Sequence, residues 1–129
     1  MPKILIIDDD EDFSYLTKTA LVQKGYDTAI SQTVSKAVEE IRQKRPDLIL
    51  MDIMMPEITG ADAVRMFRDD PGLRNIPIIF LTGLVAKAEE EIEESGIDVD
   101  GVIYPTLGKP YDINKLIRVV RKNLVKPDA

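Results

Sequence analysis

The chain has no cysteine and no histidine among its 129 residues. The first absence excludes a disulfide framework and thiol chemistry. The second removes the commonest general base and the commonest metal ligand. A cationic surplus is missing too. Lys and Arg total 17 against 23 Asp and Glu, for a formal net charge of −6, so direct nucleic-acid binding lacks its electrostatic footprint. No apolar run approaches the roughly 18 residues of a membrane span. The opening "MPKILIIDDD" passes from four apolar residues into three acids, which is not the pattern of a signal peptide. No membrane association is expected, and a cytoplasmic location is. What remains is 44% hydrophobic and 31% charged, the balance of a globular protein with a real core. The length fits one domain, residues 1–129.

Ile4 to Ile7 form a continuous apolar run, as expected of a strand buried on both faces. Phe13, Leu16, Ala20 and Leu21 then recur at helical spacing, and Gly25 closes that helix. A weaker strand is expected over Tyr26 to Ile30. A second helix carries Val34, Ala37, Val38 and Ile41, with Thr33 as its N-cap and Pro46 beyond its end. Leu48 to Met51 read as a third strand. Ala63, Val64 and Phe67 mark a third helix that stops near Pro71 and Gly72. Ile76 to Leu81 read as a fourth strand, with Pro77 near its start because proline cannot donate to a ladder. A fourth helix is expected over about 86–94, ending at Gly96, and a fifth strand over Val102 to Thr106. Ile113, Leu116, Ile117, Val120 and Leu124 make a clean helical stripe, and Asp112 is placed to cap it. This alternation predicts an α/β fold, a doubly wound five-stranded parallel sheet with helices on both faces.

In such sheets ligands bind outside the carboxyl ends of the strands. Strand one delivers Asp8, Asp9 and Asp10 there, strand three delivers Asp52, strand four delivers Thr82, and Lys109 follows strand five. Gathered carboxylates repel by about 4 kcal/mol per pair at about 4 Å and an effective dielectric near 20, so the cluster calls for a cation. Oxygen ligands without histidine or cysteine select a hard ion, and Mg²⁺ suits few carboxylates plus water. A site with Mg²⁺, a carboxylate nucleophile, a hydroxyl and an ammonium fits phosphoryl transfer. Asp52 would attack phosphorus while the metal, Lys109 and Thr82 meet the phosphoryl oxygens.

At these residues the chain resembles the receiver domains of two-component response regulators, over essentially its whole length. "LIIDDDED" resembles the family's acidic motif. "LMDIMMPEITG" resembles its phosphorylation loop, with Pro56 four and Gly60 eight residues after Asp52. "IIFLTG" resembles its switch-threonine motif and "GKPY" its lysine-proline motif. The resemblance implies the flavodoxin-like strand order 2-1-3-4-5 and makes Asp52 the phosphoacceptor. Asp9 would bind Mg²⁺ directly, Asp8 would assist through water, and the backbone carbonyl of Met54 would be a further ligand. Thr82 would bind the phosphoryl group and Lys109 would pair with it, next to a cis peptide before Pro110. The phosphodonor would be a histidine kinase or histidine phosphotransfer protein, which must supply the histidine this chain lacks. A downstream effector protein or domain would read the switched surface, and homodimer formation stays open. Such a domain is not an enzyme beyond catalysing its own phosphorylation and dephosphorylation.

Two other classes stay in view. One is a pseudo-receiver, a binding module not controlled by phosphorylation. The other is a small Mg²⁺-dependent phosphohydrolase. The acidic run also mimics an EF-hand, but Phe13 and Thr19 stand where that loop needs glycine and glutamate. Asp10 reads best as a helix cap, and Met54 and Met55 as packing or loop residues rather than metal ligands. The apolar residues Met54 and Leu84, two positions after Asp52 and Thr82, predict slow loss of the phosphoryl group. The stretch from Thr82 to Lys109 looks about five residues longer than the family pattern, and a surface loop absorbs such length at low cost. "SGIDVDG", residues 95–101, is therefore expected to be an exposed, mobile loop. The family's usual aromatic position falls on Thr106, with Tyr104 a partial substitute. Pro105 between them implies a bulge or an edge. The signal is expected to leave through residues 83–87 instead.

Overall fold

The computed structural model describes residues 1–83, 96–109 and 112–124. Strands β1 (Lys3–Ile7), β2 (Asp27–Ser31), β3 (Leu48–Asp52), β4 (Ile78–Thr82) and β7 (Thr106–Gly108) form one parallel sheet. Its order is β2-β1-β3-β4-β7, the doubly wound arrangement expected, with the seventh described strand filling the fifth place. The described helices are α1 (Glu11–Gln23), α2 (Val34–Lys44), α3 (Gly60–Arg68) and α4 (Ile113–Asn123). The helix expected over about 86–94 lies outside the described residues, as do Leu84, Pro110 and most of the proposed output segment 83–87.

The continuous apolar runs of the strands divide between two faces, because successive side chains point opposite ways. Leu5, Ile7, Ile49, Met51 and Phe80 face α2 and α3, where they meet Ala37, Ile41, Val64 and Phe67. Ile4, Ile6, Leu50, Ile79 and Leu81 face the other way and meet Leu21 of α1 and Leu116, Ile117 and Val120 of α4. Each described helix starts on a side-chain cap that satisfies an otherwise unpaired N–H. Asp10 accepts from Phe13 N at 3.0 Å, Thr33 from Lys36 N at 3.2 Å, Thr59 from Asp62 N at 3.2 Å and Asp112 from Asn114 N at 2.7 Å. Such caps contribute about 1 kcal/mol each.

Two sequence expectations are corrected after β4. The strand expected over Val102 to Thr106 is split. β6 (Val102–Tyr104) leaves the main sheet and pairs antiparallel with β5 (Ile97–Val99), whereas Thr106 begins β7. Pro105 is the reason. It has no N–H to donate, but its carbonyl accepts from Phe80 N at 2.9 Å and starts the pairing with β4. Residues 97–101 are likewise not an irregular loop but half of a hairpin. Asp100 and Gly101 both take positive φ, 54° and 88°, as a type I′ turn requires. Val99 is only 2% exposed and joins the α2–α3 face of the core. Gly96 is needed at the hairpin's entry, since at φ 75° an added Cβ would lie 2.6 Å from Ile103 Cγ2 and 2.7 Å from the Tyr104 carbonyl.

Candidate functional site

The parallel sheet brings four separated segments to one edge. β1 ends at Ile7, and Asp8 N donates to the Ser31 carbonyl at 3.1 Å, so the first acid continues the ladder. β3 ends in Asp52 itself, and Ile53 N donates to the Leu81 carbonyl at 3.0 Å. β4 ends in Thr82, whose carbonyl accepts from Lys109 N at 2.6 Å just beyond β7. The loop after Asp52 returns sharply into α3. Gly60 N donates to the Ile53 carbonyl at 2.7 Å. A Cβ on Gly60 would lie 2.9 Å from the Phe80 ring and 3.0 Å from Ile53 Cα, so only glycine lets α3 start this close to the sheet.

One carboxylate oxygen from each of Asp8, Asp9 and Asp52 lies within 4.8 Å of the others. Asp8 is fully buried, Asp52 has a side chain 14% exposed, and Asp9 is open to solvent. The Lys109 ammonium, 16% exposed, reaches between two of them. It donates to Asp8 Oδ2 at 2.6 Å and to Asp52 Oδ2 at 3.1 Å. Each acid has a backbone donor as well. Asp10 N serves Asp8 Oδ1 at 3.0 Å, and Met54 N serves Asp52 Oδ1 at 3.1 Å. Burial, with the neighbouring Asp52 charge, holds the Asp8 carboxyl above its ordinary pKa against the pull of Lys109 and the Asp10 N–H. Burial works against the Lys109 ammonium as well, but Asp8 and Asp52 together outweigh it and hold its pKa above the ordinary lysine value. Thr82 is buried at the same edge.

Among the described residues, three carboxylates against one ammonium leave a net deficit of positive charge. The donor set is all oxygen, partly open to water through Asp9, and close-set. A small hard dication fits that chemistry.

Every side chain expected at the site, Asp8, Asp9, Asp52, Thr82 and Lys109, therefore stands at this edge. Met54 lies two residues after Asp52 in the loop, bridged to Thr59 and 74% exposed, while Met55 is buried in the core. Asp10 caps α1. The structure adds contacts that spacing did not announce. The Phe13 ring lies under the Lys109 ammonium, 4.2 Å from Nζ to the ring centroid. Glu57 in the Asp52 loop accepts from Val34 N at 2.6 Å, tying that loop to the start of α2. Tyr104 is held on α3, not at the site. Its hydroxyl accepts from Arg68 Nε at 3.0 Å and Nη2 at 2.9 Å, and its ring meets Phe80 edge-on at 5.5 Å. The Asp100-Gly101 pair was the one sequence signal that could have located this hairpin.

Comparison with known proteins agrees with the geometry. A family model described as the response regulator receiver domain matches residues 4–121. The polar-differentiation response regulator DivK of Brucella anthropi is 32% identical over 126 residues, spanning 96% of this chain and 98% of that protein. Among solved structures, the signal receiver domain of a signal transduction histidine kinase from Syntrophus aciditrophicus superposes with a TM-score of 0.76 at 29% identity, covering 95% of this chain and 89% of that one. A sensor protein from a Polaromonas species gives a TM-score of 0.80 at 25% identity, covering 95% and 94%.

Proposed function

The chain belongs to the response regulator receiver domain family, a signalling family, and on that footing we propose that residues 1–129 form one receiver whose Asp52 accepts a phosphoryl group. The donor is a histidine kinase or histidine phosphotransfer protein, and the domain works in the cytoplasm where such donors present their phosphohistidine. One Asp52 oxygen attacks phosphorus, the donor's N–P bond breaks, and the imidazole keeps the electron pair and takes up a proton. The product is an acyl phosphate on Asp52. The observation that carries this reading is the Lys109 ammonium set between Asp8 and Asp52 with Asp9 beside them.

Asp52 is half-buried, and its Oδ1 is oriented by Met54 N. That leaves the carboxylate held in place rather than free to rotate, which lowers the orientational cost of attack. Lys109 offers its charge to the incoming oxygens, and the Thr82 hydroxyl stands at the end of the next strand to donate to one of them. Asp8, Asp9, Asp52 and the Met54 carbonyl would hold Mg²⁺, which when bound supplies the charge that lets three acids and a phosphoryl group share one edge. The arrival of the phosphoryl group shifts a two-state equilibrium of the loops around it and changes what an effector protein can bind. The domain is not a turnover enzyme.

Incubation with acetyl phosphate and Mg²⁺ tests the reading. One phosphoryl group per chain is expected by intact mass, and none in Asp52→Ala. Sustained multiple turnover on a phosphomonoester would instead favour a phosphohydrolase. Absence of any labelling would favour a pseudo-receiver.

A further inference from the structure

Phe13 belongs to a closed circuit of contacts at the site. Asp8 Oδ1 accepts from Asp10 N at 3.0 Å, and Asp10 Oδ1 accepts from Phe13 N at 3.0 Å. The Phe13 ring lies 4.2 Å from Lys109 Nζ, and Nζ donates back to Asp8 Oδ2 at 2.6 Å. The N-cap that starts α1 thus also fixes the ring against the one ammonium of the cluster. The helix start presents N–H groups, which favour the carboxylates but repel a cation. The negative face of an aromatic ring is what α1 can offer an ammonium at that place. Two of the three N–H bonds of Lys109 are committed to Asp8 and Asp52, and the ring closes a side on which water would otherwise compete for the third.

We propose that Phe13 is a positioning residue for Lys109, using its ring face to hold the ammonium between Asp8 and Asp52 for contact with an incoming phosphoryl group. The proposal rests on the receiver reading above. A lysine carries a flexible four-carbon stem, and each alternative rotamer takes its charge away from the reacting oxygens. The ring removes those alternatives without adding a competing hydrogen bond. An aliphatic residue of similar size fills the same space but offers no π face.

The test compares wild type with Phe13→Leu, Phe13→Met and Phe13→Tyr. Acetyl phosphate is varied at fixed Mg²⁺ so that the maximal rate of Asp52 labelling separates from half-saturation. Leu and Met should lower the maximal rate by about twofold to thirtyfold, the span of weak to desolvated cation–π contacts. Half-saturation and Mg²⁺ affinity should hold, and Tyr should restore the rate. In parallel, NMR should place the Lys109 ε-methylene protons well upfield of other lysines in wild type and Phe13→Tyr, and at ordinary positions in Phe13→Leu. A wild-type labelling rate in both Leu and Met overturns the proposal. So does a Tyr variant as slow as Leu, or an ordinary Lys109 shift in wild type. If wild type does not label at all, the receiver reading fails, and the Lys109 shift alone then decides whether the ring holds the ammonium.

Discussion

Removing the Lys109 charge with Lys109→Met keeps most of the alkyl stem and strands Asp8. That carboxylate is fully buried, and its remaining partner among the described residues would be the Asp10 N–H at 3.0 Å. Breaking a buried ion pair by deleting one member costs about 3–5 kcal/mol, because an uncompensated charge stays behind. Solvent reaches Lys109 at 16% and Asp52 at 14%, so the lower end, about 3 kcal/mol, is expected in metal-free protein near neutral pH. The penalty must depend on pH, and its sign is fixed by Asp8. Burial already raises that carboxyl above 3.8 in the wild type. Between the unfolded and folded values the native chain holds a proton that the unfolded chain has lost, so stability falls as pH rises through that window. This is the reverse of an exposed, salt-bridged aspartate. Lys109 itself is raised above 10.5 and stays charged throughout that window. Without it, the Asp8 value climbs further and the window widens upward.

Urea unfolding in EDTA at about pH 7.5 and about pH 4.5, read at equal m-values, checks this. The penalty should shrink from about 3 to about 1 kcal/mol as Asp8 takes up its proton, the remainder being lost packing and the Asp52 contact. Adding Asp8→Asn to Lys109→Met should recover most of the loss at neutral pH, since deleting both members of a buried pair is close to neutral. An equal penalty at both pH values, or a double variant no better than Lys109→Met, would refute the reasoning.

Mg²⁺ at ten times its dissociation constant should add about 1.4 kcal/mol to wild-type stability by mass action, and much less to Asp9→Asn; equal melting shifts in the two would remove Asp9 from the metal site. Met54 is exposed and apolar and cannot orient a water, so the acyl phosphate should last many minutes, and Met54→Asn should shorten its life in a timed dephosphorylation assay. Arg68→Ala loses donors to the Val99 carbonyl at 2.6 Å and to the Tyr104 hydroxyl. It should cost about 2 kcal/mol and speed amide exchange across residues 97–104 while leaving β1 and β3 protected. Uniform acceleration across the sheet would contradict that assignment.

The sheet and the site edge were legible because both rest on local pattern. Ile4 to Ile7 and Leu48 to Met51 are apolar without interruption, and a short run of that kind reads as a strand covered on both sides. Once the strands are parallel, their carboxyl ends share an edge. Asp8, Asp52, Thr82 and Lys109 then have to meet, although Lys109 and Asp8 are separated by 101 residues. The caps at Asp10, Thr33 and Asp112 were legible for the same reason, each being a polar residue just ahead of a helical stripe.

The hairpin was not, because strand membership between Ile97 and Gly108 is decided by partners rather than by pattern. Val102–Tyr104 and Thr106–Gly108 are equally short, and only Pro105 separates the strand that pairs with β5 from the strand that pairs with β4. Propensity alone joins them into one strand. The Asp100-Gly101 turn outweighs that reading by fixing two positive φ angles in a row, which a continuous crossing into the sheet could not use. Arg68 then decides where the hairpin rests. Its guanidinium satisfies the Val99 carbonyl and the Tyr104 hydroxyl and pairs with Asp100 at 3.5 Å, contacts from a helix roughly 30 residues earlier that no local window contains. The same limit hid Phe13. Its place in the helical stripe was visible, but the cation above its ring comes from Lys109, beyond the last strand of the sheet. A residue's partners across the sheet edge are a property of topology, so they become readable only after the strands have been ordered.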